Sequence, residues 1–133
     1  MSDENVEIIR QAADAFTAGE WDRWLEFHDA DMQWRTSVEG PDGTTHRGRE
    51  ALRRDVEQWR EGFHDLRADV TEFIGVSDDR VFIWVHWTGR WSMSAVDAEW
   101  WIAVIFTMRD GKVARLDAYA TLAEAFKALG LAE

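Results

Sequence analysis

The sequence predicts an α+β fold, with helices laid against one face of a curved antiparallel sheet around an apolar, tryptophan-lined pocket. Three observations carry that expectation. Helical periodicity is confined to the start, middle and end of the chain, strand-like alternation fills most of its second half, and nine tryptophans crowd into 133 residues.

In chain order, Val6, Ile9, Ala13 and Phe16 recur at helical spacing, and Asp3, Glu4 and Glu7 put negative charge at the favourable end of that helix. Gly19 supplies a stop. Trp21, Trp24, Leu25 and His28 continue as a second short helix, with His28 closing it against the sheet. Residues 32–38 read as a strand, Gly40-Pro41-Asp42-Gly43 as a turn, and residues 44–47 as a strand returning beside the first. Leu52, Val56, Trp59 and Phe63 mark a third helix that ends around Gly62.

Four strands follow with little between them, at residues 67–76, 80–92, 98–108 and 112–119, and Asp110-Gly111 joins the last two as a tight hairpin. Thr121 and Glu124 form a capping box that opens a last helix, with Gly130 just past its end. No linker, repeat or low-complexity segment interrupts this order, so residues 1–133 are expected to form a single domain.

Two of the strands are apolar on both sides. In residues 80–92, one face holds Val81, Ile83, Val85, Trp87 and Trp91, and the other holds Phe82, Trp84, His86 and Thr88. In residues 98–108, Trp100, Ile102, Val104, Phe106 and Met108 alternate with Trp101, Ala103 and Ile105. A sheet buried on one side alternates apolar with polar residues. The outer face is therefore expected to be covered too, most simply by a homodimer through the sheet.

Composition excludes several functions. Fifteen basic against 26 acidic residues give a net charge of −11, which disfavours both a phosphate backbone and an anionic membrane. The absence of cysteine removes disulfides, thiolate catalysis and Cys-ligated metals. The polar, acidic start (Ser2, Asp3, Glu4) is unlike a secretion signal, and the longest apolar run, residues 100–106, is too short to span a bilayer. A cytoplasmic protein is the expectation.

The stretch Ala15-Phe16-Thr17-Ala18-Gly19-Glu20-Trp21-Asp22, followed by His28-Asp29-Ala30-Asp31-Met32-Gln33-Trp34, resembles the opening of nuclear transport factor 2-like proteins. Arg47 to Leu52, Arg109 to Val113, Tyr119 to Ala125 and the ending Leu129-Gly130-Leu131 are similar as well. The nearest resemblance is to the SnoaL-like, polyketide-cyclase-like branch, and it covers nearly the whole chain. It implies the cone-shaped fold, but not one activity, because this fold hosts isomerases, cyclases, epoxide hydrolases, dehydratases and non-catalytic binders. The catalytic sets of characterised members are missing. Where ketosteroid isomerases carry their acids, this chain aligns Thr36, Ala12 and Val104. Where limonene-epoxide-hydrolase-like enzymes carry Arg and Asp, it aligns His86, Thr88 and Ala118.

An apolar pocket raises carboxylate pKa values and lowers those of histidine, so ionisable residues at inward positions are candidates for acid–base chemistry. Asp55 sits among Leu52, Val56 and Trp59 on the apolar face of the third helix and could serve as a general base; the alternative is a solvated Asp at the edge of that face. His46, two residues before Gly48, falls where such folds open their pocket and could donate to a carbonyl, or it is a strand-edge His in water. His86 faces in or out according to a one-residue choice of register.

Trp34, Trp59, Trp100 and Trp87 are candidate pocket walls for a flat apolar or aromatic ligand, or else plain core. His28, Val104, Phe106, Leu116 and Ala118 complete the candidate ligand-binding set. Arg115, Asp117 and Tyr119 share the opposite, outward strand face. His28, His46, His64 and His86 lack zinc-site spacing, and no Gly-rich phosphate loop occurs, so neither metal nor cofactor is expected.

The expected function is a cofactor-independent acid–base enzyme acting on a small apolar carbonyl, enol or epoxide compound, by isomerisation, cyclisation, dehydration or ring opening. A non-catalytic dimer that binds a hydrophobic small molecule is the alternative.

Overall fold

A computed structural model describes residues 2–36, 45–94 and 96–130, apart from the side chains of Ser2, Thr36 and Trp59. The expected turn at residues 40–43 lies outside the described residues.

Helix α1 (Ser2–Thr17) buries Ile9, Ala12 and Ala15, and Gly19 follows it with a left-handed backbone (φ 75°). Helix α2 (Trp21–Glu26) buries Leu25 and is shorter than the sequence suggests. His28 does not close this helix but opens strand β1 (His28–Thr36), because Val113 N–H donates to the Phe27 carbonyl and draws the chain onto the sheet. After β2 (His46–Arg47), helix α3 (Arg49–Gly62) passes into β3 (Phe63–Gly75) with no connecting residue.

Phe63 is therefore a strand residue rather than the last turn of a helix. Its ring lies over Gly89, where a missing side chain leaves room, and contacts Trp91 and Trp100 at centroid distances of 4.4 and 5.1 Å. Strands β4 (Arg80–Trp91), β5 (Asp97–Arg109) and β6 (Lys112–Tyr119) run as expected, and α4 (Leu122–Ala128) ends the described chain.

The six strands form one open, curled sheet in the order β2-β1-β6-β5-β4-β3. All pairings are antiparallel except β1 with β6, which is parallel and sets Trp34 beside Leu116. The sequence reading had the sheet antiparallel throughout. Local alternation carries no information about which distant strands meet, and β1 and β6 come from opposite ends of the chain. The β3–β4 register shifts between His64 and Arg67 and between Val70 and Glu72, as at β-bulges.

Helices α1 and α3 roof the concave face, α1 over β3 and β4, α3 over β1, β2 and β3. On the convex face α4 packs against β5 and β6. Its Ala125 meets Phe82, Ala103 and Ile105 in a second, smaller core. Part of the outer apolar face is thus covered by the chain's own last helix, which the two-sided strand pattern alone does not foresee. Among the described residues, no helix is long and apolar enough to cross a membrane.

Candidate functional site

Parity along β4 and β5 determines which side chains face the roof. Cα partners Val85–Ile102 and Trp87–Trp100 point inward, and His86–Trp101 points out. Between this inner face and the two roofing helices lies a cavity of ≈ 250 Å³. Ile9, Ala12 and Phe16 of α1 and Leu52, Asp55 and Val56 of α3 line its helical side. Its sheet side includes Trp34, Ile83, Val85, Trp87, Trp100, Val104, Phe106, Leu116 and Ala118, with Trp24 and His28 at the join of α2 and β1.

The Trp87 and Trp100 rings are stacked at 6.0 Å with 3° between planes, and Phe16 meets Trp87 edge-on at 5.6 Å. These faces suit a flat apolar molecule. The structure thus brings Asp55, His28, Trp34, Trp87, Trp100, Val104, Phe106, Leu116 and Ala118 onto one cavity wall. Trp59 lies on α3, but its side chain falls outside the described residues.

Two of the sequence's candidates do not reach the cavity. His86 stacks on Trp101 at 4.3 Å and 14° on the outer face, with Nε2 3.6 Å from Glu99 Oε1. The register with β5 puts it there, so it cannot act on a ligand inside the cone. His46 stacks on Trp34 at 4.8 Å and 24°, but it is not among the lining residues. It stands beside that wall residue on the same sheet face, as its partner across β1 and β2. Phe16, Trp24 and Leu66 line the cavity without having been singled out in the sequence. The helical periodicity that marks Phe16 as buried cannot distinguish a packed core from the rim of a void.

Polar groups on the wall are few. Asp55 is the only formally charged side chain among the described lining residues, joined by Thr17 and His28. His28 is 1% exposed. Its Nδ1 lies 3.0 Å from the Trp24 carbonyl oxygen, an acceptor, so Nδ1 carries the proton and donates. Burial pushes the imidazole pKa down to about 4, helped by the positive charges of Arg49 and Lys112 and opposed by the backbone bonds at Trp24 and Leu25. The ring is neutral at ordinary pH, and its Nε2 has no hydrogen-bond partner among the described residues.

On the outer face, Arg115 donates to both carboxylate oxygens of Asp117 (2.9 and 3.0 Å) and to Gln33 (3.2 Å). The charge of Asp117 is thereby committed away from the cavity. Among the described residues, no group of three or more His, Asp or Glu is gathered as a metal site would require.

A curled six-stranded sheet closed by helices over an apolar cavity defines a domain of the nuclear transport factor 2-like class. Within that class the chain belongs to the SnoaL-like family, whose domain profile matches residues 9–116. Similar solved structures share the fold at low identity. TerC, crystallised with polyporic acid, is 20% identical over 96% of this chain and 98% of its own, with a TM-score of 0.75. A candidate polyketide cyclase from Xanthomonas campestris is 18% identical over 96% and 97%, with a TM-score of 0.74. A protein of ketosteroid isomerase-like fold from Catenulispora acidiphila, in complex with trimethylamine, is 18% identical over 94% and 93%, also at 0.74. No curated protein matches the chain.

Proposed function

We propose that this chain is an acid–base enzyme acting on a small apolar or aromatic carbonyl, enol or epoxide compound, with Asp55 as its general base. One observation carries the reading: a single carboxylate stands on the wall of an otherwise almost wholly apolar cavity. In that setting a base is held close to its substrate and away from bulk water. Asp55 would take a proton from the substrate. An indole N–H of Trp24, Trp34, Trp87 or Trp100 would support the negative charge developing on the substrate oxygen. His46 would hold the plane of Trp34 rather than exchange protons. Neighbours crystallised with polyporic acid and with trimethylamine support a small-molecule ligand. Relatives with cyclase and isomerase descriptions support catalysis of this kind.

The test is product formation, read by mass spectrometry, on cyclic ketones, diketones and epoxides of a size the cavity admits. Asp55→Asn should lower turnover roughly a hundred- to ten-thousand-fold while leaving the melting temperature in place. Full activity in that variant removes the mechanism.

A second reading is a non-catalytic binder of hydrophobic small molecules. It is favoured by Ala12, Val104 and Ala118, aliphatic cavity residues at places that the family resemblance aligns with catalytic groups. Ligand binding without turnover in any of these substrate classes would decide for it. We extend either reading to a homodimer through the outer-face residues beyond α4, where Trp84, His86 and Trp101 stack. Sedimentation at micromolar concentration checks this; a monomer would end it.

A further inference from the structure

The cavity wall is electrostatically one-sided. Its described lining residues include four indoles (Trp24, Trp34, Trp87 and Trp100) and the Phe16 ring, whose faces carry partial negative charge. Asp55 is the only formally charged side chain among them, and no Lys or Arg joins it. Helix α1 adds to this. It ends at Thr17, itself a lining residue, so the negative pole of a 16-residue helix stands at the cavity. No basic side chain occupies its last turn.

The positive groups nearby are engaged elsewhere. Helix α3 brings its opposite pole towards Leu52, but Arg49 and Glu50 in that turn are of opposite sign. Arg53 and Arg60 line a separate, smaller cavity between α2 and α3. There Arg53 donates to Asp22 at 2.8 Å, and Arg60 lies over the Trp21 ring at 4.5 Å. A net charge of −11 sets the same negative sign over the whole molecule. An anion entering the main cavity would meet no compensating charge. A cation would meet indole faces and a carboxylate on one wall.

The scarcity of hydrogen-bonding groups narrows the kind of cation. Besides the indole N–H groups, the described lining side chains that carry polar atoms are Asp55, Thr17 and His28, and His28 is sealed. A primary ammonium has three donors to satisfy and would find too few acceptors here. An alkylated ammonium has one donor or none, and presents apolar methyl or methylene groups to the rings.

We infer that the cavity is a binding site for an alkylated ammonium cation, a tertiary or quaternary amine with an apolar or aromatic body. The ammonium lies against the indole faces, and Asp55 acts on it through its charge rather than through a hydrogen bond. This rests on the reading that the cavity holds the ligand. It narrows the proposed substrates to those that also carry a cationic nitrogen, and it does not require the Asp55 oxygens that would take the reacting proton.

Phenyltrimethylammonium and tert-butylbenzene share one shape and differ in charge, and benzenesulfonate reverses the sign. Calorimetric titration at low ionic strength should find the cation bound at least as tightly as tert-butylbenzene, although water holds the cation far more strongly. Benzenesulfonate should not bind. Asp55→Asn should weaken the cation about tenfold and leave tert-butylbenzene unchanged. Should that variant not fold, wild-type sequence grown with fluorinated tryptophan gives the answer. Fluorine drains charge from the ring faces with little change of shape, so the cation should lose affinity and the neutral isostere keep it.

Tighter binding of tert-butylbenzene, binding of benzenesulfonate as strong as that of the cation, or equal losses for cation and isostere would each overturn the inference. Binding of none of the three would overturn it together with the cavity reading. Charge-blind binding with turnover that depends on Asp55 removes this inference and spares the proposed chemistry. Charge-selective binding without turnover does the reverse, so the two failures are distinguishable.

Discussion

On the concave side of the sheet, β4 and β5 present Val85, Trp87, Trp100 and Val104 to helices α1 and α3, of 16 and 14 residues. On the convex side, the same strands present Phe82, Ala103 and Ile105 to α4, of seven. Both faces are rich in large apolar side chains. The cavity lies on the first. The two long helices lie across the concave face with the cavity between them and the strands, whereas the short α4 sets Ala125 directly against Phe82, Ala103 and Ile105. The cavity is thus a product of curvature and roofing, and residue type alone does not create it. The two histidines show the same contrast. His28, sealed on the inner side, loses its charge to burial; His86, on the outer side, lies against the Trp101 ring within reach of Glu99.

The largest effect expected from that contrast is a pH dependence of stability. Unfolded His28 titrates near its ordinary value of 6.5, and the folded protein holds it at about 4. Because the folded pKa is depressed, its contribution is fully present above pH 6.5 and is lost as pH falls through that value to about 4. The gap corresponds to about 3 kcal/mol at most. Urea midpoints measured between pH 7 and pH 4 should fall more steeply for the wild type than for His28→Phe. Carboxylates that titrate in the same window act in both proteins and drop out of the difference. Parallel profiles would mean that His28 is not sealed as the inner face requires.

Next in size is a pair of enlargements, one per face. Ala103 is fully buried beneath α4, packed with Phe82, Ile105 and Ala125. Ala103→Leu should cost about 1–3 kcal/mol through overpacking. Ala118 lines the void. Ala118→Phe should leave the melting temperature nearly unchanged while abolishing binding of any ligand that fills the cavity. If both substitutions destabilised the protein equally, the inner face would be packed as tightly as the outer, and the proposed site would lose its volume.

Much of this contrast was legible in the sequence. The two-sided apolar pattern of residues 80–92 and 98–108 showed that both faces are apolar, and the spacing of Leu52, Asp55 and Val56 placed a carboxylate at the edge of an inward stripe. Helix α4 was legible too, from Thr121 and Glu124, but not that it folds back onto the outer face. That depends on a packing choice between distant segments. His86 was indeterminate because a strand's period of two makes each residue face in or out on a single-residue slip, and only the pairing of His86 with Trp101 resolves it. The spacing from Trp24 puts His28 at a helix end, and the sequence counts it among the ligand-binding wall residues; the structure moves it to the start of β1. The unpaired Nε2 follows from a backbone carbonyl that no side-chain pattern reveals.

The smallest effect concerns the cover of the outer face. Thr121 is the N-cap of α4; its Oγ1 accepts from the Glu124 backbone N–H at 3.1 Å, and its hydroxyl donates to the Glu124 carboxylate. Thr121→Ala leaves that N–H without its acceptor and should cost about 1 kcal/mol. A helix this short has little intrinsic stability and is held mainly by Leu122, Ala125 and Leu129 against the sheet, so the loss should appear as local opening before global unfolding. Amide exchange should accelerate across residues 122–129 and leave α1 and α3 unchanged. Cavity binding should survive, because none of the described lining residues belongs to α4. A Thr121→Ala protein that lost ligand binding along with its outer helix would show that the two faces are coupled through β5 and β6, and that the roof alone does not hold the cavity open.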